Sequence, residues 1–545
     1  MDMTAFTRRA LLRSMSLATG GLLLPFPALG SEPGFRHGVA SGDPLADRVI
    51  LWTRITPAAK QSGPIEVTWQ VTQSADFRSP VTRGRFTTDA GRDYTVKVDA
   101  TGLEPGQRYH YRFLIGERSS PVGRTRTLPR TGVEALSFAV VSCSNFPQGY
   151  FNVYREIARR DDLDAVLHLG DYLYEYPEGG YADPIALLSG RNVAPPHEIL
   201  SLADYRMRHA LYRSDPDLQA VHAAHPMIAV WDDHESANDS WQEGAQNHNP
   251  GEGLWEDRKQ ASVQAYREWL PIRDEQDRDP LTIQRRFDFG GLANLLMLDT
   301  RLIGRSRPLD YAADIPTRDG DPDLDAFRGQ LQDSTRTLLG PQQLDWLGSA
   351  IERSNAPWQI LGQQVLMGRL RAPDLLDVAR FEEDGPFNRE TAERITHLAE
   401  QGLPLNLDAW DGYPAARERL YAAARAHAGS FVALAGDTHN AWAFELADAK
   451  GRGVGIEFAT PSVSSPGMER FVPVPPGIVA ERFVATNPEL IYLDAERRGW
   501  LELSMTPEAA TGRWHFVSTI LSRRYQALLG PAYRLAVGET VLQIG

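Results

Sequence analysis

Six apolar runs in the second part of the chain constrain its fold most strongly. Each is a short stretch of consecutive apolar residues, and helical or irregular segments separate them: 135–142, 164–169, 226–231, 293–298, 358–362 and 431–435. Continuous apolar strands are typical of sheets that helices cover on both faces, whereas a strand with one solvent face alternates apolar and polar residues. The pattern therefore predicts an α/β domain over residues 134–510.

The flanking regions have a different character. Residues 35–130 alternate apolar and polar side chains in short runs separated by turn signals such as Glu104-Pro-Gly106. This spacing predicts an N-terminal β-sandwich of fibronectin or immunoglobulin type over residues 32–130. The C-terminal segment 511–545 contains aromatic residues and an amphipathic stretch, so it is interpreted either as a lid or as ordinary packing at a sheet edge.

The first thirty residues resemble an export signal. Arg8 and Arg9 precede a short apolar stretch that ends at Ala28-Leu-Gly30, and the arginine pair is typical of a twin-arginine signal peptide. The stretch is shorter than the ~20 residues that a spanning helix needs. We therefore expect a periplasmic or secreted protein that uses the twin-arginine export machinery and has no membrane anchor.

The charge of the chain excludes one class of partner. Its formal net charge is −14. Binding to a nucleic-acid backbone depends on clustered Lys and Arg. No nucleic-acid binding surface is therefore expected.

Each of the six apolar runs is followed by polar residues that can bind metal ions or take part in catalysis. These residues are, in order, Cys143-Ser-Asn145, Asp171-Tyr-Leu-Tyr174, Asp232-Asp-His-Glu235, Asp299-Thr-Arg301, Gln363-Gln364 and Asp437-Thr-His439. In open α/β sheets, ligands bind outside the carboxyl ends of the strands. The strands are therefore predicted to bring acids, amides, a thiol and two imidazoles to one sheet edge.

Cys143 is the single cysteine among 545 residues, so it cannot form an intramolecular disulfide. A free cysteine is in general a small, buried apolar side chain. Here it stands one strand before Gly170-Asp-Tyr-Leu-Tyr174, among the other candidate ligands. That position favours a thiolate that binds a metal ion.

The residue types suit two different cations. A pair of cations needs a bridging carboxylate and separate ligands for each ion, and Asp171 is the candidate bridge. Thiolate and phenolate suit a ferric-type or other transition ion, whereas carboxylate and amide oxygens suit a hard ion such as Ca²⁺, Mg²⁺ or Mn²⁺.

The order of these motifs resembles that of the calcineurin-like metallophosphoesterases, and Gly170-Asp-x-x-Tyr174 has the spacing of purple acid phosphatases. The chain is most similar to the alkaline phosphatase D (PhoD) family over almost its whole mature length. The segments that carry this resemblance are Phe35–Pro44, Leu51–Arg54, Ser142–Asn145, Gly170–Glu175, Trp231–Glu235 and Gly436–His439.

The resemblance implies a metallophosphatase-type αββα sandwich behind the β-sandwich, with Fe³⁺ and Ca²⁺ as cofactors. By motif, the iron ligands would be Cys143, Asp171, Tyr174 and His439. The calcium side would use Asp171, Asp437 and a residue of the segment 233–238. Asp233 and Asn238 are the candidates, and the choice stays open because purple acid phosphatases have Asn-His where this chain has Asp233-His234. Their additional histidine ligands have no match, which favours a second ion harder than Zn²⁺.

The function that follows is that of a secreted alkaline phosphatase, which releases inorganic phosphate from small phosphate esters through a metal-activated hydroxide. Asp171 and His234 are the predicted catalytic residues, the latter to stabilise the transition state or protonate the leaving oxygen. Arg301 is interpreted as a phosphate contact, a helix cap or a surface ion pair. The alternatives are a phosphodiesterase or phospholipase D-like activity at the same site, or a non-catalytic metal-binding surface protein.

Overall fold

The computed structural model describes residues 32–59, 62–181, 190–274, 278–381, 387–427 and 429–545. The predicted signal peptide, residues 1–30, lies outside these ranges. Across them, no helix combines the length and apolar character that a membrane crossing requires.

A ten-stranded mixed sheet organises most of the molecule. Its order is β26-β25-β24-β23-β9-β10-β11-β1-β2-β5, and β9, β10, β11 and β1 are parallel neighbours. The strands, numbered along the chain, are β1 Val39–Gly42, β2 Arg48–Arg54, β5 Thr95–Thr101, β9 Leu136–Val141, β10 Ala165–His168, β11 Pro226–Ala229, β23 Arg498–Met505, β24 Ala509–Val517, β25 Ala527–Ala536 and β26 Gln543–Ile544.

A second, seven-stranded sheet has the order β14-β15-β18-β19-β21-β20-β22, with β15, β18, β19 and β21 parallel. Its strands are β14 Arg285–Phe289, β15 Ala293–Met297, β18 Trp358–Gly362, β19 Ser430–Ala435, β20 Ala441–Ala447, β21 Gly453–Ala459 and β22 Leu490–Asp494. Two short hairpins lie outside the sheets: β12 Ser240–Trp241 with β13 Gly244–Ala245, and β16 Thr317–Arg318 with β17 Asp321–Pro322.

The two large sheets share one hydrophobic core. Val140 and Leu167 of the first sheet belong to the same buried cluster as Leu295 and Ile360 of the second. The neighbouring residues of the second sheet, such as Leu296, point to its other face, where a separate cluster includes helical residues. The alternation shows why these runs are apolar throughout, because both faces of each strand are buried.

Ten helices lie among the described residues. They are α1 Asn152–Ala158, α2 Leu202–Tyr212, α3 Pro216–Ala224, α4 Trp255–Trp269, α5 Leu324–Leu331, α6 Gly340–Glu352, α7 Arg389–Glu400, α8 Pro414–Ala426, α9 Met468–Phe471 and α10 Pro476–Thr486. Residues of α1 to α4 belong to the buried cluster that includes the ten-stranded sheet, and residues of α6 and α8 join the cluster on the outer face of the second sheet.

The N-terminal region is joined to the ten-stranded sheet. An antiparallel sheet of order β4-β3-β6-β7, with β8 paired to β6, packs against β2 and β5 around its own apolar core. Its strands are β3 Ile65–Thr72, β4 Thr82–Thr88, β6 Arg108–Ile115, β7 Arg118–Ser119 and β8 Gly123–Arg126. Because β1 pairs with β11, one layer of this sandwich continues the large sheet. The chain boundary near residues 129–132 is therefore not a boundary of the sheet.

The C-terminal segment forms part of the same sheet. Residues 511–545 contribute most of β24 and all of β25 and β26, which form one edge of the ten-stranded sheet. This arrangement corresponds to the edge-packing interpretation of the segment and not to a lid. The connection before β25 reaches α1, where the backbone N–H of Tyr150 donates to the carbonyl of Ile520 at 2.7 Å.

Candidate metal centre

Four candidate ligands follow the ends of buried strands in an unusual backbone conformation. Cys143, Asp171, Asp437 and His439 have φ angles of 61°, 54°, 61° and 62°. Residues other than glycine rarely adopt this left-handed region, and such positions concentrate at functional sites. The strands come from both large sheets: β9 and β10 from the first, and β19 from the second. The sequence predicted one sheet edge, and the structure instead uses adjacent edges of two sheets.

Gly170 allows two of these strand ends to approach each other. Its φ is 106°, and a Cβ at this position would overlap Cβ and the backbone nitrogen of Asp232. A side chain here would therefore push apart the loops after β10 and β11. Those loops carry the carboxylates of Asp171 and Asp233.

Cys143, Asp171 and His439 form the first group of possible ligand atoms. One donor atom from each lies within 4.8 Å of the others, and all three residues are buried. The Tyr174 hydroxyl joins this group, because it lies 3.1 Å from Oδ2 of Asp171 and 3.1 Å from Nε2 of His439. The hydroxyl of Ser465, which the sequence did not indicate, contacts the Tyr174 oxygen at 2.6 Å.

A second group consists of carboxylates. Asp232, Asp233 and Asp437 bring one oxygen each within 4.8 Å of one another. An oxygen of Asp171, an oxygen of Asp233 and a ring nitrogen of His234 meet within the same distance. Asp171 and Asp233 therefore connect the two groups. The structure brings together six of the seven predicted metal ligands in this way.

Asn238, the seventh, lies beside the same cluster. Its backbone N–H donates to Glu175 at 2.9 Å, and its amide nitrogen donates to Gln246 at 3.2 Å. The amide oxygen is the atom that would bind a hard cation.

Arg301 is wholly buried and binds carboxylates, which corrects the interpretations of it as a phosphate contact, helix cap or surface ion pair. Its guanidinium donates to Asp232, to Asp408 at 2.7 Å and to Asp437 at 3.3 Å. The negative side chains outnumber this one guanidinium. Asp408 comes from a loop with no strand signal, so sequence patterns had no means of finding it.

The acids of the cluster are buried close to one another, which disfavours their charged forms. Burial raises the pKa of Asp171 well above its usual value, and the carboxylates of Asp233 and Asp232 add to that effect. Burial also raises the pKa of Asp232 well above normal, despite the opposing charge of Arg301. Oδ1 of Asp171 and Oδ2 of Asp232 accept no hydrogen bond from any described residue. Buried, unpartnered carboxylate oxygens fit a site that binds cations.

The non-carboxylate donors fit the same conclusion. Burial, reinforced by Asp171, raises the pKa of both the Cys143 thiol and the Tyr174 phenol well above their usual values. Burial lowers the pKa of His439 to about 3, so this imidazole is neutral at ordinary pH. A neutral imidazole can bind a metal directly. A bound cation would also stabilise the negatively charged thiolate and phenolate, which burial disfavours.

His234 has the opposite electrostatic environment. Burial disfavours its charge, but the carboxylates of Asp233, Asp171 and Glu175 raise its pKa well above the usual value. Nδ1 of His234 lies 2.7 Å from Oε2 of Glu175, and its ring packs on Tyr174 at a centroid distance of 4.2 Å. The side chain is thus held in a fixed orientation beside the candidate ligands.

Glu235 holds the two ligand loops together. Its carboxylate accepts backbone N–H groups of Asp171 at 3.1 Å, Tyr172 at 2.5 Å and Asp232 at 2.8 Å. The sequence motif contained Glu235, yet backbone hydrogen bonds to a loop 64 residues away leave no sequence pattern.

Gln363 and Gln364 follow β18, but their side-chain amides form hydrogen bonds with backbone carbonyl groups. The amide nitrogen of Gln364 donates to the carbonyl oxygens of Trp231 and Leu298, and that of Gln363 donates to the carbonyl of Val365. Their amides therefore tie loops together.

Comparison with known proteins identifies the family. The family model for PhoD-like phosphatases matches residues 138–514, and that for the N-terminal domain of PhoD-like phosphatases matches residues 25–129. The chain belongs to the PhoD-like phosphatase family. It is therefore a phosphatase that hydrolyses phosphate esters, which confirms the resemblance and the enzyme class predicted from the sequence.

Individual relatives agree with this assignment. The chain is 34% identical over 500 residues to alkaline phosphatase D of Bacillus subtilis, covering 88% of this chain and 77% of that protein. A solved structure described as that of PhoD superposes with a TM-score of 0.77 at 29% identity, covering 96% of this chain and 93% of that one. The match confirms a mixed α/β fold with an N-terminal domain.

Proposed function

We propose that this phosphatase acts through two cations bound by the candidate metal centre. Fe³⁺ would be held by Cys143, Asp171, Tyr174 and His439. Ca²⁺ would be held by Asp171, Asp233, Asn238 and Asp437. The observation that carries this proposal is that Asp171 lies both with the thiol of Cys143 and with the carboxylate of Asp233.

Two cations in this position would offset the charge of the phosphoryl oxygens and lower the pKa of a water molecule. The protein's own side chains hold the carboxylates of the site in place. Arg301 orients Asp232 and Asp437 from the buried side, and Glu235 fixes the loops of Asp171 and Asp232 through their backbone.

His234 is proposed to donate a proton to the leaving alcohol oxygen. The hydrogen bond of Nδ1 to Glu175 fixes the direction of the ring, and the Glu175 carboxylate, which is not a proposed ligand, favours the protonated form. A positioned acid of this kind contributes about 10²–10⁴-fold to a rate. The same positive charge would stabilise the phosphate oxygens in the transition state.

The fold supports the finer architectural assignment. We infer that the two large sheets with helices on outer faces form a metallophosphatase-type αββα sandwich over residues 134–510. Residues 32–130 would then be a fibronectin- or immunoglobulin-like sandwich that shares one layer with it. The shared core of the two sheets supports the first assignment, and the apolar core between β2/β5 and β3/β6 supports the second.

Export through the twin-arginine route is proposed from residues 1–30. Replacing Arg8 and Arg9 together by lysine should leave the precursor in the cytoplasm, while the unchanged chain is recovered outside it. Equal export of both forms would contradict this route.

The metal proposal is tested by assays of p-nitrophenyl phosphate and bis-p-nitrophenyl phosphate beside metal analysis of the purified protein. We expect about one iron per chain, loss of turnover in a chelator that removes Ca²⁺, and recovery when Ca²⁺ is returned. The ratio of the two rates measures the preference for monoesters or diesters. An iron-free protein with full activity would contradict the assignment of Cys143 and Tyr174.

A further inference from the structure

A large cavity lies outside both sheets, beside the metal centre. Its volume is about 470 Å³, and its walls come mainly from the chain segments 307–312 and 387–408. Most of the lining is apolar and includes Leu309, Tyr311, Phe387, Ile395, Leu398 and Leu403. Cavities of 300–1,000 Å³ with a mainly apolar lining are the usual sites for small organic ligands.

The cavity borders the carboxylate side of the metal centre. Three of its lining residues, Asp239, Gln246 and Asp408, contact the candidate ligands or Arg301 directly. The backbone N–H of Asp239 donates to Asp233 at 2.6 Å, Gln246 accepts from Asn238 at 3.2 Å, and Asp408 accepts from Arg301 at 2.7 Å. Each of these three wall residues is therefore one hydrogen bond away from a candidate ligand or from Arg301.

The apolar wall has its own structural support. Leu309, Leu403 and Leu407 pack with Phe327 and Leu331 in a small core separate from the main clusters. On the opposite wall, helix α7 presents Ile395, Leu398 and Ala399, which lie on one face and are only half-buried. A face of this kind offers apolar surface that a ligand can cover.

We propose that this cavity binds the alcohol moiety of the substrate, and that the preferred substrates are phosphate esters of bulky apolar alcohols. The inference rests on the proposed function, because it needs the phosphate to lie at the metal centre. Apolar binding distant from the reacting phosphorus would help to hold the ester in its reactive orientation.

Linear alkyl phosphates from ethyl to octyl test this assignment, because their leaving alcohols are chemically alike and differ in apolar surface. We expect kcat/KM to rise with chain length, by at most about fourfold per buried methylene. Equal kcat/KM values along the series would overturn the cavity assignment while leaving the phosphatase site intact. Failure to hydrolyse any of the esters with both cations present would instead contradict the proposed metal function.

Two tryptophan substitutions on α7 provide a matched pair. Ala399→Trp fills the cavity, whereas His397→Trp adds the same side chain at an exposed position that does not line it. We expect the ratio of octyl to ethyl phosphate kcat/KM to fall at least tenfold in Ala399→Trp and to stay within twofold of wild type in His397→Trp. Thermal melting of both variants checks the fold.

Leu398→Asn gives a second measurement if Ala399→Trp fails to fold. It keeps the side-chain size and removes apolar surface at a half-buried position. The octyl-to-ethyl ratio should fall severalfold. An unchanged ratio in a folded Leu398→Asn protein would overturn the proposal.

Discussion

The two ends of strands β9 and β10 use acidic residues in opposite ways. At their amino-terminal side, Asp164 pairs with Arg126, and Glu502 of the neighbouring β23 binds Arg160 at 2.9 Å and His515 at 2.7 Å. Hydrogen bonds from His515 and Arg160 lower the pKa of Glu502 to about 2. Each of these two acids has a basic partner, and Glu502 is charged at little cost because of its partners.

At the carboxyl ends of β10 and the neighbouring β11 the acids are buried and crowded. Burial raises the pKa of Asp171 and Asp232, and Arg301 is shared among several carboxylates. A paired acid stabilises the fold, whereas a buried acid with an unpartnered oxygen is available to a cation. The difference between the two ends therefore separates stability from function within one sheet.

The largest effect is expected for Asp171→Asn, which removes the shared carboxylate. Turnover of p-nitrophenyl phosphate should fall by at least about 10³-fold, because both cations lose a ligand. The melting temperature of the metal-free variant should equal or exceed that of the metal-free parent, because a buried acid crowded by Asp232 and Asp233 has been replaced by an amide. Asp162→Asn, at the opposite end and more than half exposed, is the control and should keep its activity. Normal turnover by Asp171→Asn would refute the bridging role.

Cys143→Ser should have the next largest effect. A thiolate and a phenolate bound to Fe³⁺ predict a charge-transfer band in visible light, and this variant should lose iron together with about a hundredfold or more of activity. Absorption spectra and iron content measure the loss. Tyr174→Phe separates the two ligands, since a band that survives in Cys143→Ser and disappears in Tyr174→Phe would assign the colour to the phenolate.

Glu235→Gln should have an intermediate effect on metal affinity, because Glu235 positions the ligand loops and is not itself a proposed ligand. The glutamine keeps its size but offers one acceptor oxygen to three backbone N–H groups, so the ligand loops lose part of their support. We expect metal affinity to weaken by about 10–100-fold, measured by competition with a chelator, and excess metal to restore most of kcat. Glu243→Gln, which is exposed nearby, should bind metal like the parent. If Glu235→Gln bound metal equally well, the loops would not depend on this side chain.

The smallest effect is expected for Glu502→Gln, and it concerns stability. Because the folded pKa of Glu502 lies near 2, below the ordinary glutamate value of about 4.3, its stabilisation is present above that value and lost as the pH falls toward 2. The side chain is 18% exposed and its partners are themselves partly exposed, so the contribution at pH 7 should be about 1 kcal/mol or less. The melting temperature should drop by roughly 1–2 °C at pH 7, and the difference should shrink at pH 4 and pH 3. A difference that grew on acidification would contradict this sign.

Sequence reasoning located the strands of the site well, for a physical reason. The apolar runs at 135–142 and 431–435 correspond to β9 and β19, because strands covered on both faces can contain few polar residues. The sharing of those strands between two sheets, and the pairing of β1 with β11, were not predicted. Such pairings join segments far apart in the chain, and no local pattern records them.

The amino-acid sequence by itself determined which chemical groups follow each buried strand: a thiol, a phenol, two imidazoles and several carboxylates. The resemblance that these motifs carry also indicated the class of enzyme. Only the tertiary structure decided how these groups interact. Arg301 became a buried partner of Asp232 and Asp408, Glu235 became a support for backbone N–H groups, and two surface segments enclosed an apolar cavity. Charge, burial and hydrogen bonding depend on distances between residues that are remote in the chain, and those distances exist only after folding.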